Sequence, residues 1–142
     1  MKSIFVLQGP NLNLVGQREP SVYGRESLTD WLSAQLPRWA REGAEVHIIQ
    51  SNHEGELIDA LHAHGFKADG IVFNPGGFTH TSVALRDAVA AIEAPVIEVH
   101  LTNIHAREPF RQHSMISGVC VAVISGLGFA GYEAAVQYVL HH

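Results

Sequence analysis

Five short apolar runs punctuate the chain: SIFVL (3–7), EVHIIQ (45–50), GIVFN (70–74), PVIEVHL (95–101) and GVCVAVI (118–124). They are rich in Val and Ile, and three are nearly continuous in apolar character, the pattern of parallel strands covered on both faces. Between them the apolar positions change period. Residues 28–41 put Leu28, Trp31, Leu32 and Leu36 on one side of a helix, behind Ser27 with Asp30 three residues on, a capping-box-like start. Pro37 inside this pattern should kink the helix or break a turn. The stretch 54–65 spaces Leu57, Ile58 and Leu61 helically, with Asn52 as its candidate cap and Gly65 as its stop, and residues 81–92 and 132–140 complete the set.

Alternation of strand and helix predicts an α/β fold, a doubly wound sheet of five parallel strands joined by right-handed crossovers. The expected order is the flavodoxin-like 2-1-3-4-5, with helices on both faces and a ligand site beyond the C-terminal ends of the strands. The residues just past the strands bear this out chemically: Gly9, Pro10 and Asn11 after the first, Asn74 and PGGFTH after the third, His100 and LTNIHAR after the fourth. At 142 residues the chain reads as a single domain, 1–142. One connection is too long for its place. The segment 9–28 joins a strand to a helix where about two to six residues would do, and residues 17–26 are read as a lid loop.

Composition narrows the partners. A net charge of -5 and no strip of Lys and Arg argue against a nucleic-acid binder. No apolar run approaches a membrane span, and the N-terminus lacks the apolar length of a signal peptide, so a cytoplasmic location is expected. The one cysteine, Cys120, lies in an apolar run and reads as a small buried hydrophobe. Ten histidines invite a metal, but His80, His100, His105 and Asp87 show no tight ligand spacing such as His-Glu-x-x-His, so neither metal nor cofactor is expected.

The loops offer acid–base groups instead. His100 ends a buried strand, and Glu98 points to the same side by the period of two, which suits an imidazole acting as acid or base, or a structural pair. NPGGFTHTS (74–82) combines backbone freedom at Gly76 and Gly77 with a helix start near Thr81, which favours an anion or a polar oxygen, though a plain Gly-rich turn would look the same. Tyr23 has an ordinary pKa of about 10, so on the order of one phenol in a thousand is ionised at neutral pH. Arg18 cannot lose its proton, and within a few ångströms it would favour the phenolate. Such a pair on a long loop is what a tyrosinate base needs, although Tyr23 taken alone reads first as an anchor pinning the loop to the body.

The words GPNLNLVGQREPSVYG (9–24), NPGGFTHTSVALRDA (74–88), PVIEVHLTNIHAREPFRQHS (95–114) and GLGFAGYEAA (126–135) occur in order over nearly the whole chain, and together they resemble type II dehydroquinase. The resemblance implies a type II 3-dehydroquinate dehydratase, a hydro-lyase that removes water from 3-dehydroquinate by anti elimination through an enolate, without a Schiff base. Carried over by position, Tyr23 would be the proton acceptor, His100 the proton donor, Arg18 the transition-state stabiliser and Asn11 the group ordering a water near the enolate. Substrate binding would fall to Asn74, His80, Leu101, Thr102 and Arg111, and to Asp87 reaching in from an adjacent subunit. Glu98 and Arg107 would support the site. The resemblance also implies a homododecamer, a tetramer of trimers. The same reaction serves aromatic biosynthesis and quinate breakdown.

Three positions depart from the family pattern. Gln8 stands where Asn is usual, Gly77 where Ala is common, and Thr102 where Ser is usual. Thr102 keeps a hydroxyl while restricting χ1, so activity is expected to survive. Two other classes compete. A phosphoacceptor receiver domain would need acidic groups where Gln8 and Asn74 stand. An inactive scaffold of the same fold would be free to lose Arg18, Tyr23 or His100, and all three are present.

Overall fold

The computed structural model describes residues 1–17 and 26–142. Its principal elements are β1 (Lys2–Gln8), α1 (Leu28–Glu42), β2 (Ala44–Gln50), α2 (Glu54–His64), β3 (Gly70–Asn74), α3 (Val83–Ala91), β4 (Val96–His100), β5 (Ala122–Ser125) and α4 (Ala130–His141). The strands form one sheet in the order β2-β1-β3-β4-β5 with every pairing parallel, the doubly wound sheet that the alternation predicts in the expected flavodoxin-like order. No helix among the described residues is long and apolar enough to cross a membrane.

The period of two splits β1, β3 and β4 between two cores. Ile4 and Val6 of β1, Val72 of β3 and Ile97 and Val99 of β4 pack with Leu32 and Trp39 of α1 and Tyr132 and Val136 of α4. Leu7, Ile71, Phe73 and Val96 turn the other way, onto Leu57 and Leu61 of α2 and Leu85 and Val89 of α3. Each such fully buried side chain contributes roughly 2 kcal/mol relative to exposure. Because Val96 faces the second core, Glu98 and His100, two and four residues on, share its face.

Helix α1 starts as its sequence indicates, with Ser27 Oγ accepting the Asp30 N–H at 3.2 Å. Of the expected kink or broken turn at Pro37 the second does not occur, since the helix continues through it. Pro37 and Ser33, whose carbonyl loses its partner, both lie on the exposed side, where water can satisfy that carbonyl. Asn52 does not cap α2. Its Oδ1 accepts the Asn11 N–H at 3.0 Å and Gln50 Nε2 at 3.1 Å, so it ties the ends of β1 and β2 together. Strand β5 is shorter than the run 118–124 suggests, because Ser117–Val119 form a 3₁₀ turn. Ser114 Oγ caps that turn by accepting the N–H groups of Ile116 and Ser117.

The switch point between β1 and β3 is tightly closed. A Cβ on Gly9 would lie 2.3 Å from the Pro75 carbonyl oxygen, and Gly76 adopts φ +62 against the Pro10 backbone. Two glycines thus let the loops after β1 and β3 touch at the C-terminal edge of the sheet. Gly77 needs no such freedom, since nothing would meet its Cβ, which accounts for Ala being acceptable there.

Candidate active site

A hollow of about 130 Å³ opens at that edge, well below the size of a drug-sized cavity and suited to a small molecule. The loop after β1 supplies Asn11 and Leu12, and the end of β3 with its following turn supplies Asn74, Gly76, Gly77 and His80. From β4 and its loop come His100, Leu101 and Thr102, with Ile104, Arg107 and Arg111 beyond them. Eight of the residues singled out from the sequence, Asn11, Asn74, His80, His100, Leu101, Thr102, Arg107 and Arg111, therefore share one wall-lined space.

The floor is a buried acid–base pair. His100 Nε2 lies 2.5 Å from Glu98 Oε2, and the two residues are 6% and 0% exposed. The carboxylate's second oxygen accepts the hydroxyls of Ser114 at 3.1 Å and Ser117 at 2.9 Å. Both carboxylate oxygens are thus engaged, and the side chain of Glu98 holds the His100 ring in one orientation at the base of the hollow. Since Nε2 is committed to Glu98, Nδ1 is the ring nitrogen left for a ligand.

His80 is oriented by a different bond. Its Nδ1–H donates to the His113 carbonyl at 2.8 Å, which leaves Nε2 as the unprotonated nitrogen of the neutral ring. Burial holds its pKa below the ordinary imidazole value against the pull of that carbonyl, and the nearby His100 and Arg111 add to the depression. A neutral His80 can accept a hydrogen bond from a ligand hydroxyl at Nε2.

Two arginines flank the mouth. Arg111 Nε donates to Glu108 at 3.1 Å and its guanidinium sits 4.9 Å from the Phe110 ring centroid, while Arg107 Nε lies 3.7 Å from the same carboxylate. The charge on Glu108 thus positions both without neutralising them. Asn11 is the one non-glycine residue with positive φ, +69, among the described residues. This left-handed geometry is one that Asn tolerates better than most side chains, and the Asn11 N–H is fixed by Asn52.

Other expected residues fall elsewhere. Asp87 is exposed on α3 and does not line the hollow. Tyr23 and Arg18, with nearly all of the lid segment 17–26, lie outside the described residues. Cys120 is partly buried, and burial together with the charge of Glu98 pushes its thiol pKa up to about 12, which leaves it protonated and unreactive.

Sequence reasoning passed over Ser114, Ser117 and Tyr132. The spacing Ser-x-x-Ser in SMIS signals a local side-chain turn, but nothing in it says that both hydroxyls reach a carboxylate on β4. Tyr132 opens an apolar helical pattern and reads as core, yet its hydroxyl joins Gln8 and Asn74.

Residues 2–140 match the family model described as Dehydroquinase class II. A protein of Bacillus licheniformis named 3-dehydroquinate dehydratase is 57% identical over 143 residues, covering 99% of this chain and 97% of the relative. A protein of Aspergillus flavus named Catabolic 3-dehydroquinase 2 is 54% identical over 142 residues, covering 100% of this chain and 95% of the relative. Among solved structures, the type II dehydroquinase of Butyrivibrio crossotus superposes with a TM-score of 0.93 at 41% identity, covering 97% of each chain.

Proposed function

The chain belongs to the class II dehydroquinase family, and on that footing we propose how its residues divide the work. The reaction is the dehydration of 3-dehydroquinate, carried out by a hydro-lyase of type II. The product in this reading is 3-dehydroshikimate.

Tyr23, as phenolate beside Arg18, takes the proton on the carbon α to the ketone. The electron pair of that C–H bond becomes an enolate, whose oxygen is stabilised by a water that Asn11 orders. As the enolate collapses, the C–O bond to the tertiary hydroxyl breaks and His100 gives that oxygen its proton through Nδ1. Water leaves, and the new C=C is conjugated with the ketone. Exchange with solvent then returns the tyrosine to phenolate and the imidazole to imidazolium. Proton removal and hydroxyl departure occur on opposite faces of the ring.

Ground-state contacts fall to the rest. Leu101 and Thr102 turn their backbone N–H groups to the substrate carboxylate, their carbonyls being already engaged by Gly128 and Ser125. Arg111, His80 and Asn74 take the hydroxyls, Arg107 supports the closed site, and Asp87 serves an adjacent subunit of a trimer within a dodecamer. The exposure of Asp87 on α3, away from its own hollow, favours that assignment. One catalytic domain spans residues 1–142, and a cytoplasmic location fits it.

The observation that carries the reading is the 2.5 Å contact of His100 with fully buried Glu98 at the base of the hollow, which supports His100 in the role of proton donor to the leaving hydroxyl. Substrate carrying a single deuterium on the α carbon, in each configuration, tests the mechanism. Loss of the deuterium anti to the hydroxyl is expected; its retention in the product would overturn the anti course.

A further inference from the structure

Asn74, Tyr132 and Gln8 form a buried row of three polar side chains, with exposures of 3%, 0% and 3%. Asn74 Nδ2 lies 2.8 Å from the Tyr132 hydroxyl, which lies 2.6 Å from Gln8 Oε1. The row has a polarity that follows from one backbone group. The Gly76 N–H can only donate, so the Asn74 atom 3.1 Å from it is the carbonyl oxygen. The other Asn74 atom is then the amide nitrogen, which donates to the Tyr132 oxygen. A phenol has one proton, and with its oxygen accepting from Asn74 that proton goes to Gln8.

Burial pushes the Tyr132 phenol well above its ordinary pKa, against the pull of Asn74 and Gln8, so the proton needed for this row is kept at any working pH. Here the departure at position 8 matters. Gln reaches one methylene further than the Asn usual in the family and meets the phenol at 2.6 Å. Without the hydroxyl the Asn74 amide would be held at one end only, and its two ends differ little in shape.

We infer that Tyr132, oriented by Gln8, is a positioning residue for the substrate: it locks the Asn74 amide so that one Nδ2 hydrogen remains to be offered to a substrate oxygen. The inference rests on the reading of Asn74 as a substrate contact. It fits a ligand whose heteroatoms are all oxygens, since every one of them can accept an N–H. It also separates the tyrosines by role. Tyr23 is the base, and Tyr132 stays neutral and acts through another side chain.

Steady-state kinetics of Tyr132→Phe, Asn74→Ala and the double variant test it. Loss of one oriented neutral hydrogen bond should raise KM about five- to tenfold with kcat nearly unchanged. Added to Asn74→Ala, Tyr132→Phe should raise KM no further. An unchanged KM in Tyr132→Phe, or the same rise in both backgrounds, overturns the inference. Gln8→Met removes the acceptor while leaving the phenol, and it should give a smaller KM rise of the same kind should Tyr132→Phe fail to fold; a wild-type KM there counts against the row. If Asn74→Ala alone leaves KM unchanged, the substrate role of Asn74 fails. The orientation claim is then decided by nitrogen-15 NMR of the Asn74 side-chain amide, whose slow hydrogen exchange should be lost in Tyr132→Phe and whose persistence would refute it.

Discussion

His100 and Glu98, two residues apart on β4, turn to the same face of the sheet and meet at 2.5 Å. Glu98 is 0% exposed, and among the described residues its hydrogen-bond partners are two serine hydroxyls and His100, the one that can carry a charge. Glu98→Gln keeps the shape and removes the carboxylate that holds the His100 ring. It should lower kcat about 100-fold with KM little changed, as steady-state rates will show.

The two serines behind Glu98 should matter by degree. Ser117→Ala deletes one donor to the carboxylate but leaves the turn capped by Ser114. A fall in kcat of about five- to tenfold is expected, and Ser117→Thr, which retains a hydroxyl, should restore most of it. Equal losses in both variants would assign the effect to packing.

Tyr23→Phe removes the proposed base without altering size. Turnover should drop at least about 1000-fold, while a non-reacting substrate analogue still binds within a fewfold of the wild-type affinity. Substantial residual turnover would remove Tyr23 from the role of base. Arg18→Gln should act in the same direction and move the acid side of the kcat profile to higher pH, because the phenolate would lose its neighbouring cation.

The legible parts of this molecule are those in which chemistry and periodicity coincide. The face shared by Glu98 and His100 and the gathering of residues from the loops after β1, β3 and β4 follow from parallel strands read at a period of two, whereas the strand order rests mostly on the family resemblance, since spacing leaves several doubly wound orders open. What escaped was set by distant partners. Asn52 looks like a helix cap locally, but the Asn11 N–H, 41 residues away in sequence, competes for it and wins. The run 118–124 looks like a full strand, but its first half turns beside Ser114 and Ser117, which bond Glu98. Tyr132 looks like core because nothing local marks its hydroxyl as a partner of Asn74 and Gln8.

Stability at low pH should depend on Glu133. Its carboxylate accepts Arg38 Nη2 and Trp39 Nε1 at 2.7 Å each and Gln137 Nε2 at 3.0 Å. Partial burial raises its pKa, and these donors outweigh that and hold it below the usual carboxylate range. A depressed folded-state pKa gives stability that is present above the unfolded value and lost as pH falls through the folded one. Glu133→Gln should therefore cost about 1 kcal/mol at neutral pH, allowing for solvent screening, and its urea midpoint should fall less between roughly pH 5 and pH 3 than that of the wild type.

The role given to Asp87 requires neighbours. Light scattering should give a mass close to twelve chains, and Asp87→Ala should raise KM without dissociating the assembly. A fully active monomer would contradict the proposed reach of Asp87 into an adjacent site.

The central claim is dehydration of 3-dehydroquinate by acid–base chemistry carried in the chain's own side chains. Purified protein mixed with 3-dehydroquinate in excess chelator should produce a rise in ultraviolet absorbance from the conjugated enone, and the same rise after treatment with substrate and borohydride followed by removal of the reagent. A flat trace with and without chelator would contradict the activity, a flat trace in chelator alone would contradict chemistry carried by side chains, and inactivation by borohydride would point to a Schiff base and contradict the mechanism.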